Sequence, residues 1–175
     1  ADHQHPRSGR PLLGAARLLQ YVSLTEATTL GVGLSAARRE EALPGKFRDL
    51  GGVDVYLRHR PPAGRSVATV QAEWYGRRLT GDAGGTDTDQ GGWAQASYRP
   101  TPRYGFGVRY EQAPAAGASD PGTERRAGVV LAWLPSEFQR VRLQASYDRL
   151  PGGRDGLEAI LQLEFGIGAH GAHPF

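Results

Sequence analysis

Residues 157–168 read LEAILQLEFGIG. Ala159, Leu161, Leu163, Phe165 and Ile167 fall on one parity, and Glu158, Gln162 and Glu164 on the other. Successive side chains of an extended strand point to opposite faces, so a period of two over this length predicts a strand with one apolar and one polar face.

Seven further segments repeat the pattern: 28–39 (TTLGVGLSAARR), 52–61, 66–79, 91–99, 103–112, 124–135 and 139–148. Residues 16–24 (ARLLQYVSL) add a ninth if extended, although they could equally form a turn of helix. Turn residues separate the segments, as expected of an antiparallel meander. The connections alternate: TEA, PAGR, PTP and SEF are short, and the stretches around 40–51, 80–90, 113–123 and 149–157 are longer and polar. Outer-membrane barrels have this asymmetry, with tight periplasmic turns and longer external loops.

One parity carries Leu30, Val32 and Leu34, then Val53, Val55 and Leu57, and ends on Leu161, Leu163 and Phe165. The opposite parity carries Asp54, Arg58, Glu73, Arg77, Arg109, Glu111, Arg140, Arg142, Gln144, Gln162 and Glu164, the candidate lumen-lining residues. Alternation alone does not fix which face points inward, since a soluble lipocalin-like barrel has the same period with the apolar side inside. Tyr98, Tyr104, Trp133 and Phe165 lie near the short-turn side, where an interfacial aromatic girdle would place them, which favours lipid outside.

Composition narrows the classes. A length of 175 residues suits a single domain, with residues 1–15 as a polar N-terminal loop segment, 16–168 as strands and 169–175 as a periplasmic tail. The net charge of +3 is too mild and dispersed for a nucleic-acid partner. There is no cysteine, so no disulfide framework or thiolate metal site is possible. Methionine is absent even at position 1, so the expectation is a processed chain or a fragment. No apolar run approaches the roughly 18 residues of a membrane helix. The predicted fold is all-β: an antiparallel up-and-down transmembrane β-barrel with eight or nine strands in this chain, part of a larger barrel.

PSEFQRVRLQASY (135–147), the last strand and the ending FGIGAHGAHPF (165–175) resemble the carboxyl-terminal part of porin-like outer-membrane β-barrel proteins of Gram-negative bacteria. Looser likeness extends over 25–37, 53–62 and 106–112. The resemblance implies the bacterial outer membrane, contact with its lipid and lipopolysaccharide, and insertion by a barrel-assembly machinery. Phe175 resembles the terminal aromatic read by that machinery, but GAHGAHP separates it from the strand, so Phe165 is the other candidate.

No nucleophile, phosphate-loop or metalloprotease motif occurs, so no enzyme and no cofactor is expected. His3, His5, His170 and His173 could suit zinc, but their spacing is unspecific and they read as loop residues; no metal site is assigned. AGGTDTDQ and GASDPGTE lack the full spacing of a calcium loop. The functional expectation is passive diffusion of small polar solutes. The alternatives are a small closed structural or adhesion barrel and a soluble ligand-binding barrel. Strand number separates the first two, because about 8 strands leave a filled interior and roughly 16 an aqueous channel.

Overall fold

Nine strands follow one another along the chain: β1 (Leu13–Thr25), β2 (Thr28–Glu40), β3 (Phe47–His59), β4 (Val67–Thr80), β5 (Thr86–Thr101), β6 (Tyr104–Pro114), β7 (Thr123–Ser136), β8 (Gln139–Leu150) and β9 (Arg154–Phe165). This is a computed structural model, and it describes residues 13–41, 46–80, 85–114 and 122–166. The strands form one antiparallel up-and-down sheet in sequence order, β1 to β9, and no helix occurs among the described residues. Among the described residues no helix is therefore long and apolar enough to cross a membrane, which says nothing about crossing by strands.

Residues 16–24 belong to a full strand, so the helical alternative for them is not the conformation found. Polar stretches expected as loops are also strand. Thr86–Gln90, Phe47–Gly51 and Arg154–Leu157 continue the ladders on the longer-loop side, with Arg77 opposite Asp89 and Arg38 opposite Asp49. The strict alternation of connection lengths fails at residues 60–66 on the short-turn rim, which outnumber residues 41–46, 81–85 and 151–153 on the other.

Three short turns share one local cause. The hydroxyls of Thr25, Thr101 and Ser136 each accept the backbone N–H two residues on, from Ala27 (3.2 Å), Arg103 (3.3 Å) and Phe138 (3.3 Å). Hydroxyl-led turns of this kind reverse the chain tightly. The ladder is irregular beside each of them, at Ser23/Thr25, Tyr98/Thr101 and Trp133/Ser136, as is common at barrel rims. On the opposite rim Gly152 and Gly153 adopt φ of 80° and 73°, a region that only glycine enters cheaply.

Register carries the parity of one strand across the whole sheet. Leu34 faces Val53 and Val53 faces Trp74; Val108 faces Val129, Leu131 faces Leu143, and Leu143 faces Leu161. The apolar residues thus form one continuous band over nine strands. No hydrophobic side chain is buried among the described residues; Val129, Leu131 and Leu161 are 53%, 50% and 64% exposed.

The band has defined edges. On the short-turn side it ends on Tyr98, Tyr104, Trp133 and Phe165. On the other side it ends on Trp74, Tyr110 and Tyr147, beyond which the same parity turns charged at Arg38, Asp49, Arg78, Arg125, Arg149 and Asp155. From Trp133 to Ala127 or from Phe165 to Leu157 the strand covers roughly 20–27 Å at about 3.4 Å per residue. An outer-membrane apolar band is about 25 Å tall.

The sheet is not closed in this chain. β1 and β9 are its edges and run in the same direction, so they cannot pair antiparallel with each other. An eight-stranded closure of 158–168 onto 28–39 is not what the fold contains either, because β2 already has β1 on one side and β3 on the other.

Candidate functional site

The polar parity is the more enclosed one. Along β7 the polar-parity residues Gly128, Val130 and Ala132 are half-buried while Ala127, Val129, Leu131 and Trp133 are exposed; along β2 Gly31 and Gly33 are buried while Val32 and Leu34 are exposed. Ser146, 3% exposed, lies on the polar parity of β8. Side chains from strands two apart also meet here. Arg17 of β1 reaches past Gly33 of β2 to both carboxylate oxygens of Asp54 on β3 (3.0 and 3.1 Å), and Tyr21 sets its ring edge-on to Tyr56 at 6.5 Å. Such strands stand about 9.6 Å apart, so these side chains meet across the side-chain-free Gly31 and Gly33 of β2, and this less exposed parity is called the inner face below.

All eleven expected lumen residues lie on this face. Two adjacent register rows hold most of the polar chemistry. One row runs Tyr21, Gly31, Tyr56, Gln71, Gln95, Arg109, Gly128, Ser146, Glu158 from β1 to β9. The next runs Leu19, Gly33, Asp54, Glu73, Trp93, Glu111, Arg126, Asp148, Gly156.

Within these rows the side chains form a nearly unbroken network. The Gln95 amide donates to Gln71 (2.5 Å), and Arg109 donates to Gln95 (3.2 Å) and Glu111 (2.8 Å) while its guanidinium lies 4.4 Å over the Trp93 ring. The Trp93 indole N–H donates to Glu73 at 3.2 Å. Arg126 grips Asp148 with two hydrogen bonds (2.5 and 2.9 Å) and lies 3.7 Å from Glu111 and 3.8 Å from Glu158. Ser146 donates to Glu158 at 3.4 Å.

The remaining expected residues flank this belt. Toward the short-turn rim Arg140 pairs with Glu164 (3.3 Å), Gln162 donates to Glu164 (2.7 Å) and Arg142 donates to Gln144 (3.0 Å). Arg58 stands between Thr29 and Thr69 in register. Toward the other rim Arg77 is paired to Asp89. Bidentate and networked arginine–carboxylate pairs are the stronger class of surface ion pair.

Sequence reading missed Arg17, Asp89, Trp93 and Arg126 on this face. Arg126 was recoverable by counting parity back from Val129. What hid it was that the inner parity of β7 continues through Gly128, Val130 and Ala132, which do not alternate visibly with the apolar residues.

Register also resolves the distribution of charge. The two rows contain Arg109 and Arg126 against Asp54, Glu73, Glu111, Asp148 and Glu158, with Arg17 reaching in from the neighbouring row. The belt is acidic although the chain as a whole is basic at +3.

Among the described residues no group of three or more potential metal ligands converges. His59 shares a hydrogen bond with Thr28 (2.9 Å). His3, His5, His170, His173, Ile167 and Phe175 lie outside the described residues, as do parts of both calcium-like stretches. Phe165 is 66% exposed at the short-turn end of the apolar band. The chain matches no family model, no curated protein and no solved structure.

Proposed function

We propose that this sheet is part of the wall of a porin-like outer-membrane channel that passes small polar solutes by passive diffusion, the apolar parity facing lipid and the polar parity lining the lumen. The observation that carries the reading is the inversion of burial: the apolar band is the exposed face, and the enclosed face is the charged one. A soluble barrel with an apolar ligand cavity requires the reverse. In lipid every backbone polar group needs an internal partner, so the open edges of β1 and β9 call for further strands. Because those edges run in the same direction, an odd number of additional strands restores the even count of bacterial barrels. Insertion would use the assembly machinery, with Phe165 or Phe175 as the docking aromatic.

Rings of acidic side chains favour cations in wide pores. The two-row belt therefore predicts a channel that prefers small cationic and neutral polar solutes. Single-channel recording of the full-length protein in planar bilayers should give stepwise conductance with a cation-selective reversal potential, reduced in a Glu73→Gln/Glu111→Gln variant. A silent bilayer would end the channel reading and leave a closed structural barrel. Anion selectivity would refute the role of the belt.

A further inference from the structure

At the outer boundary of the apolar band Arg125 of β7 and Arg149 of β8 stand directly opposite each other in register. Both are exposed, and among the described residues neither forms an ion pair within 4.0 Å. Like charges placed directly across a ladder repel. Their one acidic neighbour in the same row, Asp155, accepts a hydrogen bond from the Tyr147 hydroxyl instead. Elsewhere at this boundary Arg38 is neutralised by Asp49 at 3.5 Å.

The surroundings point to a lipid headgroup. One register step below lie Tyr110 and Tyr147, with the small side chain of Ala127 between them in register. Each phenol is directed toward the charged row, Tyr110 to Gln112 at 3.5 Å and Tyr147 to Asp155. Tyrosines with apolar rings in the band and hydroxyls at its edge are characteristic of a membrane interface. A dianionic group just above them would remove the repulsion between the arginines and take their donors. An acyl chain would run over Ala127, between the two tyrosines.

We propose that Arg125 and Arg149 form a docking site for the phosphate groups of an outer-leaflet glycolipid of the lipid A type; this rests on the reading of the apolar face as lipid-facing. The arginines lie on the outer parity, so the site is separate from the channel-lining belt.

The test uses full-length protein in phosphatidylcholine vesicles containing a small fraction of bisphosphorylated lipid A, with dephosphorylated lipid A and inorganic phosphate as comparison arms. Lipid retained after detergent extraction is counted by native mass spectrometry. Wild-type protein is expected to retain the bisphosphorylated lipid about tenfold or more over the dephosphorylated one, and Arg125→Gln/Arg149→Gln to lose that preference. Arg125→Lys/Arg149→Lys should keep most of it. Equal retention of the two lipids by wild type, unchanged retention by the glutamine variant, or full displacement by inorganic phosphate overturns the proposal. Flotation with vesicles is read in parallel. Wild-type protein that floats but shows no preference refutes the docking site alone, whereas protein that does not float refutes the membrane reading beneath it.

Discussion

Leu131→Arg is expected to destabilise the membrane-inserted protein by about 2–4 kcal/mol, while Val130→Arg, one residue away, should cost less than about 1 kcal/mol. Leu131 lies in the register row Leu131, Leu143, Leu161, near the middle of the apolar band, and is 50% exposed. An arginine at mid-depth on the lipid side must either lose its hydration or draw water and headgroups inward. Val130 stands on the opposite parity beside Gln144, where a charged side chain joins other hydrated ones. The difference therefore reports the polarity of the solvent on each face, and propensity cannot produce it, since both positions lie in the same strand. Equilibrium unfolding by urea in lipid vesicles measures it. Equal costs at the two positions, or a larger cost at Val130, would place the apolar face against protein or ligand instead of lipid.

Arg126→Ala should have the largest effect on selectivity of any single substitution on the inner face. Its guanidinium holds Asp148 by two hydrogen bonds and stands within 4.0 Å of Glu111 and Glu158, so it is the shared counter-ion of three carboxylates on β6, β8 and β9. Among the described residues, removing it leaves those carboxylates with only Arg109, which already bonds Glu111. The cation-to-anion permeability ratio is expected to rise roughly twofold or more, because charge rings at a lumen set selectivity. Stability should fall by roughly 1–2 kcal/mol, a modest loss because the guanidinium is 44% exposed and exposed pairs are screened by water. Reversal potentials across a salt gradient, compared for Arg126→Ala and Arg126→Lys, measure the shift. Lysine keeps the charge but not the paired hydrogen bonds, so it should restore selectivity more completely than stability. An unchanged reversal potential in the alanine variant would mean that the belt does not face the conducting path.

The parity that decides both predictions was legible in the sequence. Val129, Leu131 and Trp133, or Leu161, Leu163 and Phe165, alternate with polar or small residues plainly enough to fix strands, faces and chain order. Strand ends were not legible. Thr86–Gln90 reads TDTDQ and carries no apolar residue, because beyond the band both faces of a hairpin meet water and nothing selects alternation, yet backbone pairing continues to Thr86. On the longer-loop rim the connection lengths estimated from alternation were too long for the same reason, whereas the connection read as PAGR is longer than estimated and takes in residues 60–66. The helical alternative for residues 16–24 arose from ARLLQ, a helix-compatible run whose extended form comes from pairing with β2.

The candidate lumen residues were legible one strand at a time, and the acidic belt was not. A net excess of carboxylates in two rows depends on which residue of β5 stands opposite which residue of β6, and turn geometry and the irregular pairs at Tyr98/Thr101 and Trp133/Ser136 set that register. Counted by parity alone, the eleven candidate lumen residues hold five arginines against four carboxylates, close to balance. Counting them by row separates an acidic middle from arginines such as Arg58, Arg140 and Arg142 toward the short-turn rim.

These 175 residues contain no cysteine, so a thiol introduced among them is the sole one in this stretch of chain. Single cysteines placed in turn at residues 127–133 of β7, in otherwise full-length protein reconstituted in vesicles, can each carry a fluorophore probed with brominated acyl chains and with an aqueous quencher. Labels at Ala127, Val129, Leu131 and Trp133 should be quenched by the brominated lipid and those at Gly128, Val130 and Ala132 by the aqueous agent, alternating residue by residue. Lipid quenching at the even positions, or at none, would contradict a lipid-facing apolar parity.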